Sequence, residues 1–294
     1  MLRRWIVYPL QGMFAALGYA VLAALPVDTA SALGAWAGRT FGPRFRAHQI
    51  ADDNLRRIMP ELGETERAAV IRGMWDNLGR TVAEYPHIRK FNPYAEDGRI
   101  EIVGLEHMEA LWNDGKPGLL FAGHLANWEV SSLPIVRRGW NVHLAYRPLN
   151  NPLADRLLRR GRKALDAGLF AKGPEGAKVA LKALSNGEHV AMLVDQKMND
   201  GIPVPFMGVD AMTAPAVAKF ALRYDCPVVP VQVERLLGAR FRITFHPGLE
   251  KPATGDRQKD VEAIMTDVND YLGSWVRRHP EQWLWVHRRW PAEG

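Results

Sequence analysis

The chain has 294 residues, of which 47% are hydrophobic, enough for one large domain or two small ones with a sizeable core. Its formal net charge of +6 favours an anionic partner such as nucleic acid, anionic lipid or an acidic carrier protein, and its ten tryptophans favour a membrane interface. The single cysteine excludes an internal disulfide, and Cys226, at the start of the apolar stretch CPVVPVQV, is predicted to be a small core residue.

The first informative segment runs from Trp5 to Pro26 without a charged residue. A helix needs about 20 apolar residues to cross a bilayer, so the segment is long enough to span, to lie half-buried in the interface, or to act as a signal peptide. Its apolar run is longer than the roughly 7–15 residues of a signal peptide. We therefore expect a retained membrane anchor over residues 1–27, spanning or interfacial, followed by one domain over residues 28–294.

A helical lead-in is predicted up to about residue 95. The stretches HQIADDNLRRIMP and ETERAAVIRGMWDNLGRTVAEY place apolar residues three and four positions apart, as one face of a helix requires. Pro60 ends the first helix, and Gly63 precedes the second.

From about residue 99, short apolar runs alternate with helical stretches. The predicted strands include RIEIVG, PGLLFAG, NVHLAYR, HVAMLVD, CPVVPVQV and RFRITFHPG, and a long amphipathic helix is predicted from about Asp256 to Arg278. This alternation predicts an α/β fold with a mostly parallel central sheet flanked by helices. In such sheets, sites gather at the carboxyl ends of the strands. His124, Arg147 and Asp195 all stand where a predicted strand ends, which indicates one shared site.

The stretch GLLFAGHLANWEVSSL contains His124 and, five residues later, Glu129. Side chains five apart meet only if the chain bends between them. Gly123 ends the strand, and Asn127 is a plausible N-cap of the helix that follows. Glu129 could then hold one imidazole nitrogen and leave the other as a general base, with helix N–H groups near an oxyanion. The alternative is that both residues are ordinary polar residues at a strand end and in a first helical turn.

Several other charged or aromatic residues allow two interpretations. Arg147 would bind a phosphate of a lipid or of a pantetheine arm, or lie free on the surface. Asp195 would orient Arg147 or cap the next segment. The basic residues of the helix predicted in PLADRLLRRGRKAL usually indicate a solvated face, and the alternative is contact with an acidic carrier protein or an anionic lipid headgroup. The C-terminal tryptophans would lie in a headgroup layer or, equally, form core. These clusters are Arg159, Arg160, Arg162 and Lys163, and Trp283, Trp285 and Trp290.

The sequence has no H-E-x-x-H, no C-x-x-C and no glycine-rich phosphate loop, so it supports neither a metal enzyme nor a nucleotide enzyme. No nucleic-acid recognition motif accompanies the positive charge. We therefore expect no cofactor, no metal and no nucleic-acid partner.

These residues resemble a known family. FAGHLANWE is similar to the H-x4-(D/E) box of the lysophospholipid acyltransferase superfamily, and more narrowly to the G-H-x-x-N-W-E box of the lauroyl/myristoyl acyltransferases of lipid A assembly. Four later blocks continue the likeness: YRPLNNPLADRLLRRGR, MLVDQKMNDGIPVPFMGVDAMT, CPVVPV and PEQWLWVHRRW. The F-P-E-G-T block of phosphatidic-acid-forming acyltransferases is absent, and Asp195-Gln196-Lys197 stands near its place.

The resemblance implies a reaction at the inner membrane, with the catalytic domain on the cytoplasmic side. A fatty acyl group would pass from a thioester on acyl carrier protein to a hydroxyl of a lipid A precursor. His124 and Glu129 would be catalytic, with Glu129 orienting His124. Asn127, Trp128, Arg147, Asp195 and Gln196 would bind substrate. The alternatives are another lipid acceptor (a lysophospholipid, an ornithine lipid or a glycolipid) or a non-catalytic lipid-binding protein.

Overall fold

A computed structural model describes residues 7–96, 98–146, 151–162, 167–171 and 173–291. The α-helices are α1 Tyr8–Ala24, α2 Val27–Phe41, α3 Arg46–Ile58, α4 Glu64–Glu84, α5 Leu105–Asn113, α6 Leu133–Val136, α7 Pro152–Arg162, α8 Pro174–Ser185, α9 Ala216–Tyr224 and α10 Arg257–Arg278. The strands are β1 Ile100–Val103, β2 Gly118–Ala122, β3 Val142–Tyr146, β4 Gly168–Ala171, β5 His189–Leu193, β6 Ile202–Phe206, β7 Val209–Thr213, β8 Val228–Leu237 and β9 Arg240–Phe245.

Seven of these strands form one sheet in the order β1-β9-β8-β2-β5-β3-β4. Every neighbouring pair is parallel except β8 and β9, which are antiparallel. The strand β2 lies in the middle, and all five residues of GLLFA are buried, as expected for a parallel strand covered on both faces. The prediction of an α/β fold with a mostly parallel sheet flanked by helices is confirmed.

The lead-in helices α3 and α4 and the long helix α10 lie where the sequence predicts them. At the start of α4, the backbone N–H of Gly63 donates to the side chain of Glu66 at 2.8 Å. The Asp256 side chain accepts from the N–H groups of Gln258 and Lys259 and begins α10. Both contacts satisfy N–H groups that a helix start leaves without an intrahelical partner.

The N-terminal segment forms α1, which has 17 residues. No helix within the described ranges is both long enough and apolar enough to cross a bilayer, so the spanning form of the predicted anchor is not supported. Instead α1 packs on the rest of the chain: the Asn151 side chain donates to the carbonyl of Tyr8 at 3.0 Å, and the ring of His87 lies 2.9 Å from the carbonyl of Leu22.

Candidate active site

The register of two neighbouring strands places His124 beside Asp195. Strands β2 and β5 are parallel, and Ala122 is paired with Leu193 at their carboxyl ends. His124 and Asp195 each follow two residues after that pair, so both chains bring a polar side chain to the same edge of the sheet. Of the three residues predicted from the strand ends to share one site, His124 and Asp195 are therefore in contact.

The Asp195 carboxylate holds His124 by two contacts. The imidazole Nδ1 lies 2.7 Å from Oδ1 of Asp195, and the backbone N–H of His124 donates to Oδ2, also at 2.7 Å. The indole N–H of Trp283 donates to the same Oδ2 at 2.8 Å. Because an ionised carboxylate only accepts hydrogen bonds, Nδ1 carries a proton and the opposite nitrogen, Nε2, is left as the basic atom.

The carboxyl of Asp195 is almost completely buried, with 2% of its surface exposed. Burial by itself would raise the pKa of Asp195, but the charge of His124 and the hydrogen bonds from His124 and Trp283 outweigh it and hold the pKa below its usual range. Asp195 is therefore ionised at neutral pH and can balance a proton on His124.

The bend between His124 and the rest of the box is at Ala126, whose φ of 49° is in the left-handed region. Three groups hold this turn: the Asn77 side chain and the Thr81 hydroxyl each donate to the Ala126 carbonyl at 3.0 Å, and the Ala126 N–H donates to the carbonyl of Gln282 at 2.9 Å. An alanine with positive φ is strained, so these contacts from α4 and the C-terminal segment are needed to keep the bend.

Asn127 caps the following turn, as predicted, because its side-chain oxygen accepts from the N–H of Glu129 at 3.2 Å. The predicted helix after Asn127 is a 3-10 turn of only three residues, Trp128–Val130. The Asn127 amide also donates to Glu84 at 2.9 Å, and the residue is fully buried. Its contacts support the loop between His124 and Glu129.

Glu129 does not hold His124. Its two carboxylate oxygens accept from the guanidinium of Arg162 at 2.9 and 2.6 Å, and one of them also accepts from the indole of Trp128 at 3.1 Å. The predicted Glu129–His124 contact is therefore wrong, because the bend that brings the box together directs Glu129 toward α7. Trp128 lies between the two, with its ring 5.0 Å from that of His124.

Arg162, predicted only as one of a basic cluster that faces solvent or an acidic partner, lies instead against the H-x4-E box. Its side chain is only 13% exposed and makes an ion pair with Glu129, which is 7% exposed. Burial by itself would lower the pKa of Arg162, but the hydrogen bonds and charge of Glu129 raise it. The one cue in the sequence was the neighbouring glycine, Gly161. In the structure, a Cβ at Gly161 would clash with the ring of Tyr85, so this end of α7 is packed inward.

A cleft adjoins the ion pair. Its lining is mostly aliphatic and comes from β2, β3 and β5, with Trp128, Glu129 and Arg162 among its polar or aromatic members. His124 is not part of the lining, but its ring packs against Trp128, which is. An apolar cleft with a few polar groups is the usual form of a small-molecule or acyl-chain site.

The remaining predicted residues divide into three outcomes. Gln196 reaches the site, with its amide nitrogen 3.3 Å from Nε2 of His124. Arg147 and Lys163 lie outside the described residues. The C-terminal tryptophans form core rather than a headgroup layer: Trp283, Trp285 and Trp290 are at most 3% exposed. Cys226 is fully buried, and burial raises its pKa to about 11. The prediction that Cys226 is a small core residue is therefore confirmed.

The chain was compared with known proteins. The sequence model of the bacterial lipid A biosynthesis acyltransferase family matches residues 1–292. The chain belongs to this family. It is 24% identical over 257 residues to a lipid A biosynthesis acyltransferase of Haemophilus influenzae, covering 86% of this chain and 78% of that protein. It is 26% identical over 250 residues to a lipid A biosynthesis lauroyltransferase of Escherichia coli, covering 83% and 79%.

A further relative, the lipid A biosynthesis myristoyltransferase of Escherichia coli, is 22% identical over 256 residues, covering 86% of this chain and 77% of that protein. The family resemblance inferred from the box and the four later blocks is therefore confirmed. The enzyme is an O-acyltransferase of lipid A biosynthesis.

Proposed function

We propose that the enzyme transfers a fatty acyl chain from an acyl carrier protein thioester to a hydroxyl of a lipid A precursor, with His124 as the general base. The observation that carries the proposal is the His124–Asp195 pair beside an apolar cleft. An imidazole is suited to removing a hydroxyl proton, and an apolar cleft is suited to an acyl chain.

The proposed reaction passes through a tetrahedral intermediate. His124 takes the proton of the acceptor hydroxyl at Nε2 as the oxygen attacks the thioester carbonyl. The ionised Asp195 stabilises the imidazolium that forms. When the tetrahedral intermediate collapses, the carbon–sulfur bond breaks, and His124 returns the proton to the departing thiolate. The products are an ester and a free thiol, and no covalent acyl-enzyme is required.

Glu129 and Arg162 have a different role in this proposal. The pair is nearly buried and lines the cleft, so Glu129 fixes the guanidinium there. A fixed cation in the wall of the cleft would orient the polar end of a substrate whose chain lies among the aliphatic side chains. The choice of acyl carrier protein as donor is supported by the net charge of +6, because acidic partners are attracted by a basic protein.

We also propose contact with the inner membrane through α1 and α2, on the cytoplasmic side where a soluble acyl carrier protein has access. The helix α1 has no charged residue, and its apolar side chains Leu10, Met13, Phe14, Leu17 and Val21 are 47–66% exposed. On α2, Leu33, Trp36 and Phe41 are also exposed. An apolar surface of this extent is typical of a membrane or protein contact.

The position of α1 favours a lipid acceptor. Asn151, which begins α7, binds the carbonyl of Tyr8, and the same helix ends at Arg162 in the cleft. The proposed membrane surface and the cleft are therefore joined by one helix.

Flotation with vesicles of phosphatidylethanolamine and phosphatidylglycerol tests the proposed membrane surface. The double variant Phe14→Glu, Leu17→Glu should no longer bind the vesicles. The control Val179→Glu, which changes an exposed apolar residue on α8, should stay bound. Equal binding by both variants would overturn the proposed surface.

The test of the function is mass spectrometry of lipid A from cells that lack the gene and from cells that carry His124→Ala. We expect both to lack the same single acyl chain, which would also identify the acceptor position and the chain length. If the His124→Ala gene restored the missing acyl chain in the deletion strain, the mechanism would be overturned. Unchanged lipid A in the deletion strain would instead favour a lysophospholipid, ornithine lipid or glycolipid acceptor.

A further inference from the structure

The side-chain amide of Gln196 lies between two imidazole rings. Its nitrogen is 3.3 Å from Nε2 of His124 and 3.0 Å from Nε2 of His287, and the centroids of the two rings are 6.3 Å apart. The proposed mechanism uses His124 and Asp195 but gives no role to His287. His287 belongs to the stretch HRRW near the C-terminus, which is distant in sequence from the box.

The polarity of this chain of contacts follows from Asp195. The carboxylate can only accept, so Nδ1 of His124 donates, and Nε2 of a neutral ring must then accept. The group that faces Nε2 therefore has to be a donor, which assigns the NH₂ end of the Gln196 amide rather than its oxygen. An NH₂ group has two hydrogens. The second hydrogen is directed to Nε2 of His287, which accepts it.

The position of His287 is fixed from both sides along the chain. On one side, the Asn54 amide donates to the carbonyls of Trp285 and His287, both at 2.8 Å. On the other side, the buried Arg289 donates to the carbonyl of Met212 at 2.9 Å and to the Thr213 hydroxyl at 2.7 Å. A ring whose backbone is held on both sides can keep the Gln196 amide in one orientation.

We propose that His287 is a positioning residue that holds the Gln196 amide with its nitrogen toward His124, so that Nε2 of His124 stays unprotonated before the acceptor arrives. This inference rests on the proposed function. Gln196 lies closer to His287 than to His124, so the acceptor hydroxyl can replace the amide at Nε2 while His287 retains it. The hydroxyl proton then passes to Nε2, and Asp195 balances the charge.

The alternative orientation shows why this contact matters. If the amide turned over, its oxygen would face Nε2 of His124, and that nitrogen would have to carry a proton to avoid contact between two acceptors. A protonated Nε2 cannot act as a base. Loss of the contact to His287 therefore raises the share of enzyme in the inactive form, and a higher pH is needed to remove the extra proton.

The experiment compares wild type with His287→Ala and His287→Gln in an assay with purified acyl carrier protein thioester and lipid acceptor. For His287→Ala we expect kcat to fall about 2- to 12-fold, the size of one lost neutral hydrogen bond, with KM for both substrates nearly unchanged. The acid limb of the kcat/KM profile should move to higher pH. His287→Gln should recover most of kcat, because its side-chain oxygen can accept from Gln196.

The matched control is His246→Ala, which removes another histidine–glutamine contact, that of His246 with Gln232 at 3.2 Å. Neither His246 nor Gln232 belongs to the site. The acid limb of the kcat/KM profile of His246→Ala should therefore lie at the same pH as that of wild type. If His287→Ala does not fold, Gln196→Glu tests the same polarity, because a carboxylate can only accept and should move the acid limb strongly to higher pH.

Activity of wild type and of His124→Ala tests the function, and the His287 variants test the positioning role. A wild-type enzyme without acyl transfer, or full activity of His124→Ala, overturns the proposed function. With wild type active and His124→Ala inactive, an unchanged kcat and pH profile in His287→Ala overturns the positioning role. So does an equal loss in His287→Ala and His287→Gln, or an unchanged profile in Gln196→Glu.

Discussion

The two ends of the H-x4-E box have different partners. His124, at the edge of the sheet, is bound by Asp195 from the neighbouring strand and faces Gln196. Glu129, five residues later, is bound by Arg162 from α7 and lines the cleft. Both ends combine a charged group with burial, but only the first leaves a basic atom for proton transfer. In the proposed mechanism, the two ends of the box therefore act on the proton and on the substrate, respectively.

The largest expected effect concerns the His124 end. Asp195→Asn keeps the shape but removes the charge that fixes the protonated Nδ1 and stabilises the imidazolium. We expect kcat to fall about 10²- to 10⁴-fold, the contribution of a positioned base, in steady-state assays with folding confirmed by circular dichroism.

The double variant Asp195→Asn, His124→Ala should be no slower than His124→Ala alone, because residues that act as a unit are not additive. If Asp195→Asn retained wild-type kcat while Glu129→Gln lost it, the carboxylate that supports proton transfer would be Glu129 rather than Asp195.

The next effect concerns stability at the Glu129 end. Glu129→Gln removes the carboxylate and leaves the guanidinium of Arg162 nearly buried without a counter-charge. Breaking a buried ion pair costs about 3–5 kcal/mol of the free energy of unfolding, and we expect a loss of about 3 kcal/mol in urea denaturation.

Glu109→Gln is the matched control, because its ion pair with Arg138 is 39% and 29% exposed and should contribute less than about 1 kcal/mol. Similar losses in both variants would show that Glu129 and Arg162 are not a buried pair in solution.

The smallest effect is a pH dependence of stability. The pKa of Asp195 is lowered in the folded state, so its stabilising contribution is complete above the ordinary carboxyl pKa of about 4 and is lost as the pH falls through the lower folded value. The stability difference between wild type and Asp195→Asn should therefore shrink as the pH falls below about 4, measured as the urea midpoint between pH 7 and pH 3.

The control is Asp225→Asn, an exposed carboxyl whose pKa is lowered by the hydrogen bond and charge of Lys251. Solvent screening weakens that contact, so its difference from wild type should stay small at every pH. A difference for Asp195 that stays constant down to pH 3 would contradict the lowered pKa.

Much of the fold could be predicted from local patterns. The helical spacing of apolar residues predicts α4 over residues 64–85 and α10 over residues 256–278. The alternation of strands and helices predicts the mostly parallel sheet. The bend at the box was predicted from Gly123 and Asn127, although the left-handed residue is Ala126, which has no intrinsic preference for that conformation. Only the contacts from Asn77, Thr81 and Gln282 make that conformation stable.

The family, the α/β class and the position of His124 and Asp195 at one edge of the sheet could be predicted from the sequence, because they depend on local patterns and ordered motifs. The tertiary structure decided which carboxylate holds the imidazole. Asp195 is 71 residues from His124 and reaches it through the parallel pairing of β2 and β5, whereas Glu129, only five residues away, is directed to Arg162 by the bend. Spacing along the chain could not show this, because the pairing of strands and the packing of α7 bring together residues that are distant in sequence.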